Sequence, residues 1–201
     1  PRTACDALFV ALAPILPTLD GLVVRGDIEA HVRVTADGAH LADLALAHQL
    51  DANCAVVRDA PRADPLHADG PMLLHLDDGA RWLDPGSPDY RPIARVPRIV
   101  VRAFLAAEDA RFFDHEGFDP WMIRRALAWN LAAGAFEKGA STITQQLARN
   151  LFLDGERTIQ RKLEEVVIAW RLEQSLPKDR MLELYLNMVE LGSGVRGVGP
   201  G

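Results

Sequence analysis

The spacing of hydrophobic and polar positions changes along the chain near residue 95. Between 21 and 83 it alternates in the way that strands do. The apolar positions that share one face of the first predicted strand are Ile28, Ala30, Val32 and Val34. Ala-Asp-Gly at 36–38 predicts a hairpin turn after that strand. A proline-broken stretch at 59–72 predicts a loop, and 72–83 predicts strand, turn and strand.

After residue 97 the apolar positions recur at the spacing of helices, so this part is predicted to be all-α with short loops. The predicted helices cover 98–113, 121–134, 142–153, 158–176 and 179–191. Gly134 is predicted to end the second helix, and Asp179 is a predicted N-cap. Four prolines at 84–97 predict an extended connector between the two parts.

The predicted fold class is therefore α+β, with a β-rich region at 1–83, a connector at 84–97 and a helical domain at 98–201. Composition agrees, since 201 residues that are 49% hydrophobic and 25% charged suit one or two globular domains. Residues 1–95 carry 8 Arg, no Lys and 14 Asp plus Glu, whereas the remainder is neutral. Because there is no basic surplus, nucleic acid is not an expected partner.

Cys5 and Cys54 lie far apart and lack the spacing of metal ligands. They could pair in an oxidising compartment or stay as two small buried thiols, and the sequence leaves both open. The apolar run at 7–16 is shorter than the roughly 20 residues that span a bilayer. It also lacks the basic flank and cleavage site of a signal peptide. Both ends of the chain are expected to be cuts from a longer protein.

Polar side chains are concentrated in "GASTITQQLARN", at 139–150. Thr142 and Gln145 have the spacing of a capping box, so a helix start alone explains these two. A helix cap does not need the further polar side chains of Gln146 and Arg149. Backbone N–H groups at a helix start, with hydroxyls, amides and a cation nearby, would also suit an anion.

A second patch is "EDARFFDHEG", at 108–117. Glu108 follows an apolar run, so it is either held at the edge of a core or is a solvated carboxylate at a helix end. His115 could be a base or ligand, although a histidine at such a place more often makes a structural hydrogen bond.

Two further patches lie downstream. Arg161 and Glu165 are spaced i,i+4, which predicts either a solvated ion pair or a carboxylate among cations that suits a phosphate. Glu183 and Asn187 lie one turn apart among core positions, and they are predicted to hold helices together because buried polar groups need partners.

Taken in order, five motifs closely resemble the peptidoglycan glycosyltransferases of family 51. They are "EDARFFDHEG", "GASTITQQLARN", "RKLEE", "LELYLN" and "VELGSGVRGVG", and the resemblance covers 98–201. The last motif is more similar to the monofunctional branch. Arg149 stands where the family most often has lysine. The chain stops where the family continues into further helices, so the domain is expected to be C-terminally incomplete.

This resemblance implies a mainly α-helical, lysozyme-like lobe, with a smaller jaw beginning near 121–138 that dips into the membrane surface. It implies polymerisation of lipid II into β-1,4-linked glycan strands, with inversion at the anomeric carbon and release of undecaprenyl pyrophosphate. The implied partners are lipid II, the growing strand, the membrane surface and other cell-wall synthesis proteins. The implied location is the extracytoplasmic face of the bacterial inner membrane, with an anchor outside this chain.

The resemblance also implies roles for single residues. Glu108 would be the general base. Glu165 would be a second essential carboxylate that organises the pyrophosphate, often with a divalent metal such as Mg or Mn; no organic cofactor is expected. The implied substrate-binding residues are Asp109, Phe112, His115, Gly117, Ser141, Thr142, Gln145, Gln146, Arg149, Arg157, Arg161 and Lys162. The implied structural residues are Glu183, Tyr185 and Asn187.

Two other classes of function stay open. A non-catalytic scaffold could bind lipid II or cell-wall assembly proteins, but it need not keep both Glu108 and Glu165. A hydrolase on the same lobe would keep one acid and has no need of clustered arginines. The role of residues 1–95 is left open.

Overall fold

A computed structural model describes residues 2–37, 40–61, 70–76, 79–153, 158–192 and 194–199. The helices are α1 (Cys5–Leu12), α2 (Arg98–Glu108), α3 (Pro120–Ala133), α4 (Ile143–Phe152), α5 (Ile159–Ser175) and α6 (Lys178–Met188). The strands are β1 (Thr3–Ala4), β2 (Val23–Arg25), β3 (Asp27–Asp37), β4 (His40–Ala52), β5 (Ala55–Arg58), β6 (Met72–Leu76), β7 (Gly79–Leu83), β8 (Glu190–Gly192) and β9 (Val195–Arg196). This mixture confirms the predicted α+β class.

The chain forms two compact units that do not follow sequence order. The first unit comprises Pro1–Pro61 and Asp119–Ser141, and the second comprises Arg62–Phe118 and Thr142–Gly201. Each compact unit is thus made of two separate stretches of the chain. The domain boundaries at 83 and 97 stay predictions from the sequence.

The first unit is built on the long antiparallel hairpin of β3 and β4, to whose edge β1 adds. β2 and β5 form a separate two-stranded sheet, and α3 packs against β4. The strands predicted on either side of 36–38 do pair, whereas residues 38 and 39 lie outside the described residues. Val32 and Val34 keep 69% and 52% of their surface exposed, so this face of β3 is not covered within the described part of the chain.

A disulfide closes the first unit. Cys5 at the start of α1 is joined to Cys54, with a Cα–Cα distance of 5.9 Å, which decides between the two alternatives left open by the sequence. A cross-link across 49 residues removes conformational freedom from the unfolded chain, an effect of about 4 kcal/mol. The apolar run at 7–16 contributes to α1 and to short 3₁₀ turns, with Leu16 fully buried.

The second unit has its core where α4, α5 and α6 meet. The side chains that are almost fully buried there include Ile143, Leu147, Ile168, Leu172, Met181, Leu182, Leu184 and Leu186. β6 and β7 pair, as the strand-turn-strand pattern at 72–83 predicts. β6 packs against α4. The spacing of apolar residues on α4 and α6 explains this core, because each helix presents one face to it.

Three local predictions in the second half are wrong. α2 ends at Glu108 and not at 113, because Asp109 leaves the helical conformation, with φ −160°. α6 begins after Pro177, which takes the N-cap position predicted for Asp179. The half predicted to be all-α also contains the β8–β9 hairpin, which is held to the end of α6 by the bond from Gly197 N–H to the Val189 carbonyl, 2.8 Å.

Candidate functional site

The start of α4 is fixed by a side-chain cap. The Thr142 hydroxyl accepts a hydrogen bond from the Gln145 N–H at 3.2 Å, as the capping box predicts. The same hydroxyl donates to the Gly117 carbonyl at 2.7 Å. The Gln145 side chain does not complete the box, since its carbonyl oxygen accepts from Lys162 Nζ at 3.0 Å. The cap therefore leaves the Gln145 side chain directed toward α5.

A buried network behind the cap joins the second patch to α4. Asp109 is 1% exposed, and both of its carboxylate oxygens lie 3.0 Å from His115 Nε2. Asp109 Oδ2 also accepts from the Ile143 N–H at 3.0 Å. The Phe112 ring, which is 1% exposed, meets His115 edge-on at 6.2 Å. These groups hold the start of α4 from the interior, and their predicted contact with substrate stays a prediction.

Gly117 lies where a side chain would not fit. Its φ is +91°, and an added Cβ would come within 3.2 Å of the Ala169 carbonyl carbon on α5. The left-handed conformation and this close approach both require glycine. Gly117 thus brings the loop after Glu108 directly onto α5, next to the capping residue Thr142.

Glu108 lies on the surface at the last position of α2, so the solvated alternative is correct. Its carboxylate accepts a hydrogen bond from Gln146 Nε2 on α4 at 3.1 Å. Arg149, one turn further along α4, is half-buried and donates from Nε to Asn150 Oδ1 at 3.1 Å. An exposed carboxylate, an amide and a guanidinium therefore share one side of α4.

The second carboxylate lies among cations. Glu165 is 4% exposed. Arg161 Nη1 bonds one of its oxygens, and Lys162 Nζ lies 2.7 Å from the other. The Lys162 side chain is 44% exposed, and the Arg161 side chain is 12% exposed. The predicted ion pair is therefore present, but its carboxylate is buried and not solvated. Binding of a phosphate by these cations stays a prediction.

The two remaining predicted site residues are Ser141 and Arg157. Ser141 is half-buried at the end of the first unit. Arg157 falls within 154–157, outside the described residues.

The three residues predicted to be structural make different contacts. Glu183 accepts from the Tyr90 hydroxyl and the Ile93 N–H, each at 2.7 Å. Asn187 exchanges hydrogen bonds with the Arg91 backbone at 2.8 and 2.9 Å. These two residues hold the connector after β7 to α6, and not one helix to another.

Tyr185, the third, is 1% exposed, and its hydroxyl has no hydrogen-bond partner among the described residues. Burial raises the pKa of Tyr185 well above its ordinary value, and the negative charges of Glu108 and Asp109 raise it further. The positive charge of Arg149 acts in the opposite direction. The Tyr185 hydroxyl is thus a buried neutral group.

Two supporting charges, those of Lys178 and Glu173, were not predicted from the sequence. Lys178 Nζ donates to the His115 carbonyl at 2.7 Å and pairs with Glu173 at 2.8 Å. It also lies 4.4 Å from the centre of the Phe112 ring. Glu173 in turn accepts from the Thr144 hydroxyl at 2.6 Å. The His115 carbonyl lies 63 residues from Lys178, and Thr144 lies 29 residues from Glu173, so local spacing could not have indicated these two contacts.

Comparison with known proteins gives consistent matches. Residues 80–201 match a family model described as "Transglycosylase". The aligned region is 48% identical over 131 residues to penicillin-binding protein 1A of Escherichia coli (strain K12). It is 49% identical over 109 residues to penicillin-binding protein 1A of Aquifex aeolicus (strain VF5). These alignments cover 64% and 54% of this chain and about 15% of each relative.

Proposed function

Because the chain belongs to the transglycosylase family, we propose that it is a peptidoglycan glycosyltransferase that polymerises lipid II. The observation that supports this most directly is on α4, where two consecutive glutamines face the two carboxylate patches. Gln146 bonds Glu108, and Gln145 bonds Lys162 of the Glu165 cluster. One short helix therefore links an accessible carboxylate to a cation cluster, the two chemical elements that this transfer needs.

In this proposal Glu108 is the general base on the acceptor sugar. The acceptor 4-hydroxyl attacks C1 of the donor, a C1–O bond forms, and the hydroxyl proton passes to the Glu108 carboxylate. The bond from C1 to the phosphate oxygen breaks, and undecaprenyl pyrophosphate leaves with the bonding electron pair. Attack opposite the leaving group inverts the anomeric carbon and gives the β-1,4 link. The surface exposure of Glu108 leaves room for a bulky acceptor.

The leaving pyrophosphate would be received by cations on α4 and α5. Lys162 is partly exposed although it pairs with Glu165, so its ammonium can meet phosphate oxygens without losing that partner. Arg161 and Arg149 would add positive charge, and Arg157 is proposed to join them. Negative charge that develops on the leaving group is stabilised where fixed cations already lie.

In this proposal a divalent metal would be held by the diphosphate of the substrate and not by the protein alone. Within the described ranges no three His, Cys, Asp or Glu side chains are grouped as a metal site. Glu165 could offer a single ligand, but each of its oxygens already faces a cation. The residues present therefore do not fit a metal held by the protein alone, and we derive no step through a metal.

We also propose that α3 and the segment that follows it contact the membrane surface. Trp129 is 53% exposed and Phe136 fully exposed. Arg125 stacks on the Trp121 ring at 4.5 Å, and Lys138 Nζ lies 5.3 Å from the Trp129 ring. Aromatic rings paired with cations suit the boundary between lipid tails and anionic headgroups. No helix among the residues described is long and apolar enough to cross a bilayer.

The proposed location is the extracytoplasmic face of the bacterial inner membrane, with cell-wall synthesis proteins as further partners. The disulfide between Cys5 and Cys54 supports an oxidising compartment, since such bonds are rare in the cytosol.

The test is lipid II polymerisation in detergent by the full-length protein, with and without Mg²⁺, compared with Glu108→Gln. Polymer made by the parent and at least about 100-fold less by the variant is the expected result, because a general base contributes that much or more. If the parent makes no polymer but binds lipid II, the scaffold alternative replaces the proposal.

A further inference from the structure

Lys178, the first residue of α6, makes three contacts that the mechanism described so far does not use. Its Nζ donates to the His115 carbonyl at 2.7 Å and to Glu173 Oε1 at 2.8 Å. It also lies 4.4 Å from the centre of the buried Phe112 ring. The Glu173 side chain is only 6% exposed, so this pair is largely removed from water. The three contacts together fix the ammonium group in one place.

On one side Lys178 holds the loop that follows the proposed base. Its bond to the His115 carbonyl fixes the backbone there. The His115 ring in turn lies 3.0 Å from both carboxylate oxygens of Asp109. Asp109 comes directly after Glu108, at the point where α2 ends. Displacement of the loop at His115 would therefore displace Glu108 as well.

On the other side Glu173 holds the start of α4. Its Oε1 accepts from the Thr144 hydroxyl at 2.6 Å, and Thr144 is fully buried in the first turn of that helix. Two residues further along α4, Gln146 bonds the Glu108 carboxylate at 3.1 Å. The oxygen that accepts from Thr144 is the one that pairs with Lys178, so the two contacts are joined at a single atom.

We propose that Lys178 and Glu173 are positioning residues that brace the loop after Glu108 against the start of α4. The inference rests on the proposed function, in which Glu108 is the base. A general base must lie within hydrogen-bond reach of the proton that it takes. A displacement of about 1 Å can cost about 100-fold in rate. Because Glu108 is exposed at the last position of α2, its placement depends on the segments that hold its backbone.

The experiment compares Lys178→Met with Arg180→Met in the full-length protein, by lipid II polymerisation well below both unfolding temperatures. Methionine keeps an unbranched apolar stem beside Phe112 but cannot donate or pair. For Lys178→Met we expect kcat to fall about 10- to 100-fold, because the base is displaced. KM for lipid II should change less than about twofold, since the cations proposed for the pyrophosphate lie at the far end of α5.

Arg180 is the matched control, because it lies two residues further along α6 and also pairs with a partly buried carboxylate, that of Glu183. It donates to the Tyr90 hydroxyl at 2.7 Å as well. These contacts hold the connector after β7 and not the loop after Glu108. Arg180→Met should therefore lower Tm while kcat changes less than about twofold. An equal loss of kcat in Arg180→Met and Lys178→Met would overturn the proposal.

Two further variants separate placement of the base from stability. Lys178→Arg keeps a charge and donors, so it should recover most of the lost kcat. Lys178→Met combined with Glu173→Gln leaves no buried carboxylate without its cation, and glutamine can still accept from Thr144. This double variant should regain Tm relative to Lys178→Met while kcat stays low. Recovery of kcat together with Tm would overturn the positioning role.

Hydrogen exchange gives a readout that does not need turnover. In Lys178→Met the amides of 109–118 and of Ile143 and Gln145 should exchange at least about tenfold faster than in the parent. Amides of 84–95, which Glu183 and Asn187 hold, should keep the parent rate. Unchanged exchange in the first two segments would overturn the brace. A parent that makes no polymer overturns the proposed function, whereas exchange still decides whether Lys178 holds these segments together.

Discussion

Glu108 and Glu165 have opposite surroundings, although both are carboxylates on helices of the second unit. Glu108 lies on the surface with a hydrogen bond from Gln146. Glu165 is 4% exposed and contacts Arg161 and Lys162. Loss of a buried carboxylate leaves its cationic partners without a counter-charge, whereas loss of a solvated carboxylate does not. Substitution of each by glutamine should therefore separate the two effects.

We expect Glu165→Gln to lower the free energy of unfolding by about 2–3 kcal/mol, because the Arg161 guanidinium loses its charged partner in a largely buried position. Glu108→Gln should change it by less than about 0.5 kcal/mol, as is usual for exposed positions. Urea unfolding of the two variants and the parent measures both values.

A double variant controls for the charge itself. Replacing Arg161 and Glu165 together by Met removes both buried charges, so it should regain part of the lost stability. Equal stability of Glu165→Gln and Glu108→Gln would contradict the description of Glu165 as a buried partner of two cations.

At the scale of elements, α3 and residues 134–138 carry the exposed aromatic side chains of the proposed membrane contact. Trp129→Ala combined with Phe136→Ala should weaken binding to vesicles of phosphatidylethanolamine and phosphatidylglycerol by at least about tenfold, because two large apolar groups no longer leave water. Sedimentation of the protein with vesicles measures this affinity.

Val10→Ala is the control, because Val10 belongs to the same unit and is 74% exposed on α1. An equal loss of vesicle binding in the control, or no loss in the double variant, would assign membrane contact to another surface.

At the scale of the whole molecule, both tyrosines of the chain lie in the second unit and both are held neutral. Burial raises the pKa of Tyr90, and its hydrogen bond to Glu183 raises it further. Burial likewise raises the pKa of Tyr185. In the unfolded chain a tyrosine ionises near pH 10. Stability from these groups is therefore fully present below about pH 10 and is lost as the pH rises above it.

Absorbance of tyrosinate near 295 nm, followed together with circular dichroism, tests this expectation. Both tyrosines should remain protonated past pH 10 and ionise only as the second unit unfolds. Ionisation of either tyrosine near pH 10, with the fold intact, would mean that its hydroxyl is accessible to water.

The sequence by itself determined the elements that depend on neighbouring residues. Alternation predicted the β3–β4 and β6–β7 hairpins, helical spacing predicted α3 to α6, and the Thr142 cap followed from residues three positions apart. The order of five motifs indicated the family, which the match at 80–201 then established. The predicted end of α2 was wrong, because α2 stops where Asp109 bonds His115 and Ile143, which lie 6 and 34 residues away along the chain.

Only the tertiary structure decided which side chains meet. It paired Cys5 with Cys54, buried Glu165 while leaving Glu108 in solvent, and brought Lys178 under Phe112. It also grouped 119–141 with the first unit. Spacing along one helix fixes which residues share a face, but burial and charge contacts depend on segments that approach from elsewhere in the chain.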